Sequence, residues 1–457
     1  MSEALDRLRE ATRGTAYEGR LYLVGGIVRD RVLGLPREED IDIVLEGDAA
    51  GLAQFLFDAR IADHPPVVYS RFGTAMVSIG GRQVELVGAR SESYAPESRK
   101  PEVALATLEQ DVLRRDFTIN TLLENLHTAE VLDLTGRGLQ DLRLGMIRTP
   151  TDPAATFEDD PLRMLRAVRF AARFGFTIDE ETESAIHVKA GRLTIVSSER
   201  IRDELSKMLM APGCGQALDM LRDTGLLAEF APELEIMHQV TQNIYHVYDV
   251  WTHTLKTLEA LPEDSDLALR LAALFHDIGK PATRTVDDQG QAHFYTHQAV
   301  GAHMTKEVLT RLRYPNEMVS TVTKMVFMHL RAGEYEPAWS DAAIRRLIRD
   351  AGQELDALIA LTRADKAASN QAMPSADLDE LERRIAEVKA KMDVAAIRSP
   401  LDGREIMELL GIPPGSVLRR IKEFLVNEIL EGRLAPGDSN RARELVVQHW
   451  GQEDRRR

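Results

Sequence analysis

The sequence contains very little cysteine: Cys214 is the only one among 457 residues. A single cysteine excludes an intramolecular disulfide and a cysteine-ligated zinc site. Any bound metal must therefore be held by histidine, aspartate or glutamate. Such ligands favour hard ions such as Mg²⁺ or Mn²⁺, or a mixed His/Asp site.

Long apolar runs are also absent, and so is an excess of positive charge. No segment approaches the length of a membrane span, and the start, MSEALDRLREATRG, lacks the apolar stretch of a signal peptide. We therefore expect a cytoplasmic protein without a membrane partner. The net charge of −16 argues, on its own, against a nucleic-acid partner. It still allows a local basic surface, because arginines cluster between Arg163 and Arg173.

The chain is too long for one hydrophobic core, and its pattern changes along its length. Strand and helix patterns alternate at first, whereas the pattern from FEDDPLRMLRAVRFAARFGF onward is almost entirely helical. These patterns predict an α+β multidomain fold with four segments. The segments are an α/β head at 1–147, a helical neck at 148–238, a helical domain at 239–372 and a helical tail at 373–457.

The most specific local pattern is VGGIVRD followed by DIDIV, where Asp40 and Asp42 alternate along a predicted strand. Residues i and i+2 of a strand point to the same face, so the two carboxylates repel each other unless a cation lies between them. Mg²⁺ is the usual cation, and two such ions can hold the attacking and leaving oxygens of a displacement at phosphorus.

The residues before this pair are suited to phosphate. Gly25 and Gly26 lie where a strand ends and a helix begins, so backbone N–H groups can approach an anion closely. Arg29 follows one helical turn later and can reach the same phosphates. An ordinary glycine turn with two exposed aspartates is the alternative interpretation.

These motifs together resemble the nucleotidyltransferase superfamily with the polymerase-beta-like fold. The segments RRDFTINTLL, DDPLRMLRAVRFAARFGF and SSERIRDEL are similar, in this order, to motifs of class II tRNA nucleotidyltransferases and bacterial poly(A) polymerases. The resemblance covers roughly residues 20–240 and implies that Asp40 and Asp42 are catalytic and bind Mg²⁺. A third carboxylate often joins such a pair. Glu85 is the best-placed candidate, although a surface glutamate on a strand is the commoner explanation.

The same resemblance assigns nucleotide contacts. Arg115, Asp116 and Asn120 in RRDFTINTLL match family positions that contact the sugar and phosphates of the incoming nucleotide. A capped helix start with Phe117 and Ile119 in the core would explain the same segment, and the two interpretations are compatible.

Enzymes of this kind extend RNA without a nucleic-acid template, so protein side chains must read the base. The family does so with a Glu-Asp-x-x-Arg pattern on a helix, where the second and fifth residues lie three apart and share a face. The aligned residues here are Asp159, Asp160 and Arg163, with aspartate instead of glutamate in the first position. We expect Asp160 and Arg163 to read the base and Arg166 to bind the nucleotide. A solvated or salt-bridged helix face is the alternative for Arg166 and for the two arginines that follow it.

A second constellation lies in the predicted helical domain. A histidine and an aspartate follow the apolar stretch LAALF, an unusual place for polar groups without a function. The ordered series H…HD…H…H…D resembles the HD superfamily of metal-dependent phosphohydrolases. The implied divalent metal, whose identity the sequence does not give, would activate water for attack on a phosphomonoester or cyclic phosphate. A degenerate domain that only binds tRNA is the alternative. The implied ligands are His253, His276, Asp277 and Asp365, with His297 and His329 accessory.

The tail segment SPLDGREIMELLGIPPGSVLRRIKEFL is similar to the RNA-contacting segment beside HD domains in bacterial CCA-adding enzymes. Its Arg419, Arg420 and Lys422 are candidates for phosphate contacts, and a solvated helix–turn–helix is the alternative.

These resemblances imply template-independent addition of CMP, AMP or both, from CTP and ATP, to the 3′ end of tRNA. The segment at 91–111 shows no truncation, which favours complete CCA addition. The alternatives are a poly(A) polymerase, an enzyme that adds only CC or only A, and an HD phosphohydrolase whose head binds nucleotide as a regulatory module. The sequence carries no signal for the oligomeric state.

Overall fold

The structure is a computed structural model that describes residues 2–36, 41–69, 73–93, 102–242, 247–369, 376–391 and 393–451. The chain forms two compact units, Met1–Glu235 and Ile236–Arg457. The four predicted segments divide it more finely, and their boundaries stay a prediction. Asp40, and residues 94–101 of the segment expected to bear on complete CCA addition, lie outside the described residues.

The first unit combines a mixed sheet with helices. Its strands are β1 (Leu21–Val24), β2 (Ile41–Leu45), β3 (Val67–Tyr69), β4 (Thr74–Ile79), β5 (Arg82–Gly88), β6 (Arg90–Ser93), β7 (Glu102–Leu105), β8 (Leu123–Asn125), β9 (Val131–Leu132), β10 (Met146–Ile147) and β11 (Thr177–Ile178). Its helices are α1 (Ser2–Thr12), α2 (Gly26–Val32), α3 (Ala49–Asp58), α4 (Leu108–Leu113), α5 (Gly138–Leu144), α6 (Pro153–Asp159), α7 (Leu162–Phe174), α8 (Glu180–Lys189), α9 (Ser198–Leu209), α10 (Cys214–Asp223), α11 (Leu226–Phe230) and α12 (Pro232–Glu235).

Seven strands form the main sheet in the order β3-β4-β5-β2-β1-β8-β9. Strands β2 and β5 are parallel, and the other neighbouring pairs are antiparallel. Ile41 and Ile43 of β2 are buried, whereas Asp42 between them is only partly buried, as alternation along a half-buried strand requires. The register pairs Asp42 with Glu85 of β5, so the two acidic residues lie side by side on one face.

The predicted strand–turn–helix at the first motif is present. Gly25 separates β1 from α2 and has φ 77° and ψ −136°, a conformation that a residue with a Cβ rarely adopts. The sequence therefore needs glycine at this position to turn the chain directly from the strand into the helix.

The expectation that Asp160 and Arg163 share one helix is wrong. Helix α6 ends at Asp159 and α7 begins at Leu162, with Asp160 extended between them at φ −141° and ψ 97°. Pro161 explains the break, because the residue before a proline is disfavoured in the helical conformation. Asp160 Oδ1 instead accepts a hydrogen bond from the Leu162 backbone N–H at 3.2 Å.

The second unit is almost entirely helical. Its helices are α13 (Val250–Glu259), α14 (Leu267–Phe275), α15 (Lys280–Thr283), α16 (His297–Arg311), α17 (Asn316–Gly333), α18 (Asp341–Ala351), α19 (Leu355–Ala368), α20 (Leu378–Lys391), α21 (Gly403–Leu410), α22 (Ser416–Leu430) and α23 (Ser439–Trp450). Two short strands, β12 (Thr285–Val286) and β13 (Ala292–His293), form a hairpin.

One apolar core extends from α17 through α23, so the predicted tail packs on the end of the predicted helical domain. Helices α13, α14, α17 and α19 pack together around the histidines of the second constellation. All three tryptophans of the chain, Trp251, Trp339 and Trp450, belong to this second unit. No helix among the described residues is long and apolar enough to span a membrane.

Candidate functional site

The first unit contains a cavity of about 780 Å³ where the motifs of the head and neck meet. Its wall is formed by five parts of the unit: the glycine turn, β2, the RRDFTIN segment, α7 and the junction between α9 and α10. Its lining residues are Gly25, Gly26, Arg29, Asp42, Arg115, Asp116, Asn120, Arg166, Arg169, Phe170, Arg173, Lys207, Met210, Ala211 and Pro212.

The charge of this lining is opposite to that of the whole chain. Six basic side chains and two carboxylates line the cavity, although the chain carries a net charge of −16. Concentrated positive charge in a concave site attracts polyanions. The cavity therefore suits a ligand with several phosphates.

Asp42 brings a carboxylate to this basic cavity, and Glu85 lies next to it on β5. Carboxylate oxygens are the ligands that Mg²⁺ prefers in proteins, so the donor chemistry of these two residues fits that ion. Asp40, the other predicted ligand, lies outside the described residues.

Asp116 is the centre of a buried polar network. Its Oδ2 accepts hydrogen bonds from Arg166 Nε at 2.9 Å and Nη2 at 2.7 Å, and its Oδ1 accepts from Asn120 Nδ2 at 3.0 Å. Burial disfavours the charged carboxylate, but the Arg166 charge and the hydrogen bonds from Asn120 and Arg166 outweigh it. Together they lower the pKa of Asp116 to about 2. Asp116 is therefore ionised at neutral pH and fixes Arg166 in place.

Asn120 joins this network to Arg29. Its Oδ1 accepts from Arg29 Nη1 at 2.8 Å, while Arg29 Nε donates to Asp30 Oδ1 at 2.6 Å. Arg29 is only 2% exposed. Arg29, which the sequence predicts to contact the phosphates, is thus a buried cation at the cavity wall, held by two hydrogen bonds.

Arg115 is held separately by Asp111. Its Nη2 lies 2.8 Å from Asp111 Oδ2, and Arg114 pairs with the other oxygen of the same carboxylate at 2.6 Å. Burial alone would raise the pKa of Asp111, but the two arginines lower it. Their shared counter-ion orients Arg115 toward the glycine turn, where a Cβ added to Gly25 would lie 4.0 Å from Arg115 Nη1.

The predicted base-reading pair does not line this cavity. Asp160 forms a two-point ion pair with Arg200, at 2.9 Å and 3.3 Å. The Arg163 guanidinium donates to the backbone carbonyls of Arg114, at 2.6 Å, and Thr156, at 3.4 Å. The structure thus shows other partners for both side chains, and their role in reading a base stays a prediction.

Sequence reasoning left several residues of this site unassigned. Lys207 lines the cavity, Glu204 lies 2.6 Å from Arg169 Nε, and Arg200 pairs with Asp160. All three come from α9, within or directly after the segment SSERIRDEL. The segment resembles a family motif. Its charged residues lie about one helical turn apart, and this spacing was the sequence signal that could have identified them as site residues. Arg166, Arg169 and Arg173 of α7 form salt bridges and also line the cavity. The salt-bridged helix face and the nucleotide contact are therefore compatible interpretations.

The second unit brings the predicted histidines and aspartates together. Two groups of three have ligand atoms within 4.8 Å of one another, and Asp277 belongs to both. One group adds His253 and His276, and the other adds His297 and His329. Asp365 lies 2.9 Å from His253 Nε2. The two accessory histidines are therefore as well placed for a metal as the first two.

Backbone contacts orient the four imidazole rings. The Nδ1 atoms lie 2.7 to 3.4 Å from the carbonyls of Ala368, Ala273, Phe294 and Val326. Because a carbonyl only accepts, Nδ1 carries a proton, so Nε2 is the ring atom that can present a lone pair to a metal at the centre. The Nε2 atoms of His253 and His276 are 3.3 Å apart, and those of His297 and His329 are 3.2 Å apart. Facing lone pairs at this distance repel unless a cation lies near them, so this donor set fits a divalent metal.

The surroundings shift the pKa values of the clustered histidines in different directions. Burial followed by the nearby His276 charge lowers the pKa of His329 to about 3. For His276 the effect of burial is overcome by Asp277, which raises its pKa. Lys280, which was not predicted, is buried with its Nζ 2.6 Å from Asp277 Oδ2 and 2.6 Å from Gln242 Oε1. Lys280 lies three residues after Asp277 in HDIGK, and this position was the sequence signal that could have identified it.

The basic tail residues have a mixed environment. Lys422 lines a separate cavity of about 710 Å³ with Arg349 and Arg398. Arg419 is exposed and pairs with Glu423 at 2.8 Å. Their contact with RNA stays a prediction.

Comparisons with known proteins agree with these two sites. Residues 21–148 match the family model of the poly A polymerase head domain, and residues 175–237 match that of a probable RNA and SrmB-binding site of polymerase A. Residues 243–370 match the HD domain.

Whole-length relatives exist as well. An A-adding tRNA nucleotidyltransferase of Deinococcus radiodurans is 33% identical and aligns with 94% of this chain and 95% of its own. A CC-adding tRNA nucleotidyltransferase of Thermus thermophilus is 32% identical over 92% of both chains. The crystal structure of the Bacillus stearothermophilus CCA-adding enzyme in complex with CTP is 22% identical, with a TM-score of 0.70 over 99% of this chain and 98% of that one.

The last similarity confirms the expected α+β multidomain fold, with a mixed-sheet head followed by helices. The identities over nearly the whole length decide the family. The chain belongs to the tRNA nucleotidyltransferases, with a poly(A)-polymerase-type head and an HD domain.

Proposed function

We propose that this protein adds CMP, AMP or both, from CTP and ATP, to the 3′ end of tRNA. The basic cavity that contains Asp42 is the observation that carries the proposal, because it joins a carboxylate for Mg²⁺ to six cations for a triphosphate. The relatives named for A addition and for CC addition support it equally. The nucleotides added are therefore the first property to measure.

In this proposal Asp42, with Asp40 and in register with Glu85, would hold Mg²⁺. Bound there, Mg²⁺ would neutralise the triphosphate and lower the pKa of the attacking 3′-hydroxyl. Gly25 and Gly26 permit the phosphates to approach the backbone closely. Arg115 and Arg166, each held by a buried aspartate, present guanidinium groups to the same phosphates. Asn120, which couples Arg29 to Asp116, keeps these groups in fixed positions.

The base is assigned to Asp160 and Arg163. Asp160 lies in the break between α6 and α7, and Arg163 is the second residue of α7. Arg200 must release or share Asp160 for that contact to form. Base reading by this pair therefore requires a rearrangement of one ion pair.

The test is an extension assay with three tRNA transcripts, ending before CCA, after C and after CC. CTP and ATP are supplied separately and together, and product lengths are read on a sequencing gel. Addition of CCA to every substrate would establish the complete activity. A stop after CC, or addition of A only to the CC-ended tRNA, would indicate a split-function enzyme. Long A tails on unrelated RNA would favour the poly(A) polymerase. No extension at all would refute the proposal.

A second activity, phosphoester hydrolysis in the HD domain, is favoured by the His/Asp cluster around Asp277. The four Nε2 atoms, Asp277 and Asp365 would hold a divalent metal, which would supply Lewis-acid activation of water. Lys280 places a positive charge beside Asp277, where it would attract a phosphate.

We would measure release of phosphomonoester from 2′,3′-cyclic nucleotides by the metal-loaded protein. An Asp42→Ala variant that hydrolyses normally but adds no nucleotide would show two separate sites. Hydrolysis without any nucleotide addition by the wild type would instead favour the regulatory-head alternative.

A further inference from the structure

One aromatic ring, that of Phe170, forms part of the wall of the basic cavity. Phe170 of α7 lines the cavity and is otherwise buried. Three guanidinium groups surround its ring, with their central carbons 4.2 Å (Arg169), 5.1 Å (Arg29) and 5.2 Å (Arg166) from the ring centroid. These distances are within the range of cation–π attraction.

Each of the three arginines also pairs closely with a different carboxylate. Arg29 Nε lies 2.6 Å from Asp30 Oδ1, Arg166 Nη2 lies 2.7 Å from Asp116 Oδ2, and Arg169 Nε lies 2.6 Å from Glu204 Oε2. The three carboxylates come from three separate segments of the first unit: Asp30 from α2, Glu204 from α9, and Asp116 from the loop after α4. The Phe170 ring is therefore a contact that all three arginines share.

The ring itself is held by other aromatic rings. Phe117 meets Phe170 edge-on at 6.0 Å between centroids, and Phe174 stacks on it at 6.0 Å with planes 7° apart. Packing of this kind fixes the ring orientation. The negative face of a ring also offsets the repulsion among cations that are crowded together, as these three are.

We propose that Phe170 is a positioning residue for nucleotide addition. Its ring sets the direction in which Arg29, Arg166 and Arg169 present their charges to the triphosphate of the incoming nucleotide. Arg29 also lies 4.7 Å from the Phe174 ring, and each arginine keeps a carboxylate partner, so loss of the Phe170 ring would loosen all three arginines without freeing any of them. This inference rests on the proposed function, since it assumes that the cavity binds that triphosphate.

The decisive variant is Phe170→Leu, which keeps an apolar side chain and removes the π face. We expect KM for CTP or ATP to rise about tenfold or more, because three cation–ring contacts are lost together. We expect kcat and KM for tRNA to change less than about threefold. Phe170→Tyr keeps the ring and is expected to restore KM to within about threefold of the wild type.

The matched control is Phe157→Leu, a fully buried ring on α6 in the same unit. Within the described ranges, no arginine lies over this ring. It tests for a general packing effect, which would lower stability without raising KM for the nucleotide. Binding of inorganic triphosphate by calorimetry is the direct readout, since this probe has no base or sugar.

Triphosphate binding that weakens about tenfold in Phe170→Leu, and not in Phe157→Leu or Phe170→Tyr, would support the inference. Unchanged binding in Phe170→Leu, or equal weakening in Phe157→Leu, would overturn it. A wild type that extends no tRNA would refute the proposed function instead, and the calorimetric comparison would still decide the role of the ring.

Discussion

Replacing Asp116 by asparagine tests the central ion pair of the nucleotide cavity. Asp116 is largely enclosed and accepts two hydrogen bonds from Arg166 and one from Asn120. Asparagine has nearly the same shape but carries no charge, so Arg166 loses its nearest counter-ion. Glu204, whose Oε1 lies 3.8 Å from Arg166 Nη1, is a second and more distant counter-ion.

The size of the effect follows from the pKa of Asp116. The folded protein lowers this pKa from 3.8 to about 2, and one pKa unit corresponds to about 1.4 kcal/mol. The charged carboxylate therefore stabilises the fold by about 2 kcal/mol at neutral pH. Because the folded-state pKa is the lower one, this contribution is complete above the unfolded-state pKa of 3.8. It is lost as the pH falls toward 2.

Urea unfolding followed by far-UV circular dichroism measures this difference. We expect Asp116→Asn to be less stable than the wild type by about 2 kcal/mol at about pH 7 and pH 5, and by less at about pH 3. Asp58→Asn, an exposed carboxylate on α3, is the control and should change stability by at most about 0.5 kcal/mol. A full-size difference at the lowest pH, or no difference at neutral pH, would show that the pair does not stabilise the fold by its charge.

Three further changes test other parts of the two sites. Gly25→Ala forces a Cβ onto φ 77° and should cost about 1–3 kcal/mol, with weaker ATP or CTP binding by calorimetry. Gly14→Ala, at φ 74° with open space around it, shares the strain but should leave binding unchanged. Arg200→Ala removes the two-point partner of Asp160 and should change the ratio of CTP to ATP incorporation about fivefold on a CC-ended tRNA. Arg202→Ala, which loses a pair with the neighbouring Asp203 and not one with Asp160, should leave that ratio intact. Asp277→Asn should lower the divalent metal content measured by mass spectrometry and keep nucleotide addition, whereas Asp287→Asn, on the exposed hairpin turn, should keep both.

Residues whose roles depend on local geometry were predictable from the sequence. The turn at Gly25 and the outward side chain of Asp42 follow from a strand that runs into a helix and from the period of two. The HD cluster was also predictable, because its histidines and aspartates occur in a characteristic order that can be recognised even though they are far apart in the sequence.

Contacts between distant segments were not predictable in the same way. Glu204 reaches Arg169 across 35 residues, and nothing in either segment fixes that pairing. The error at Asp160 has a local cause: spacing was counted as if the helix were continuous, although Pro161 disfavours the helical conformation of the residue just before it. Asp40 stays a prediction, since it lies outside the described residues.

The confinement of all three tryptophans to the second unit has a practical consequence. All tryptophan emission of this protein originates in the unit that holds the histidine cluster. Trp251 is fully buried on α13, two residues before His253. A quenching metal such as Ni²⁺ or Cu²⁺ that enters the cluster should therefore be visible as loss of native fluorescence, without any label. A single tryptophan introduced near the basic cavity would give the first unit its own signal, and substrate binding at each site could then be timed independently.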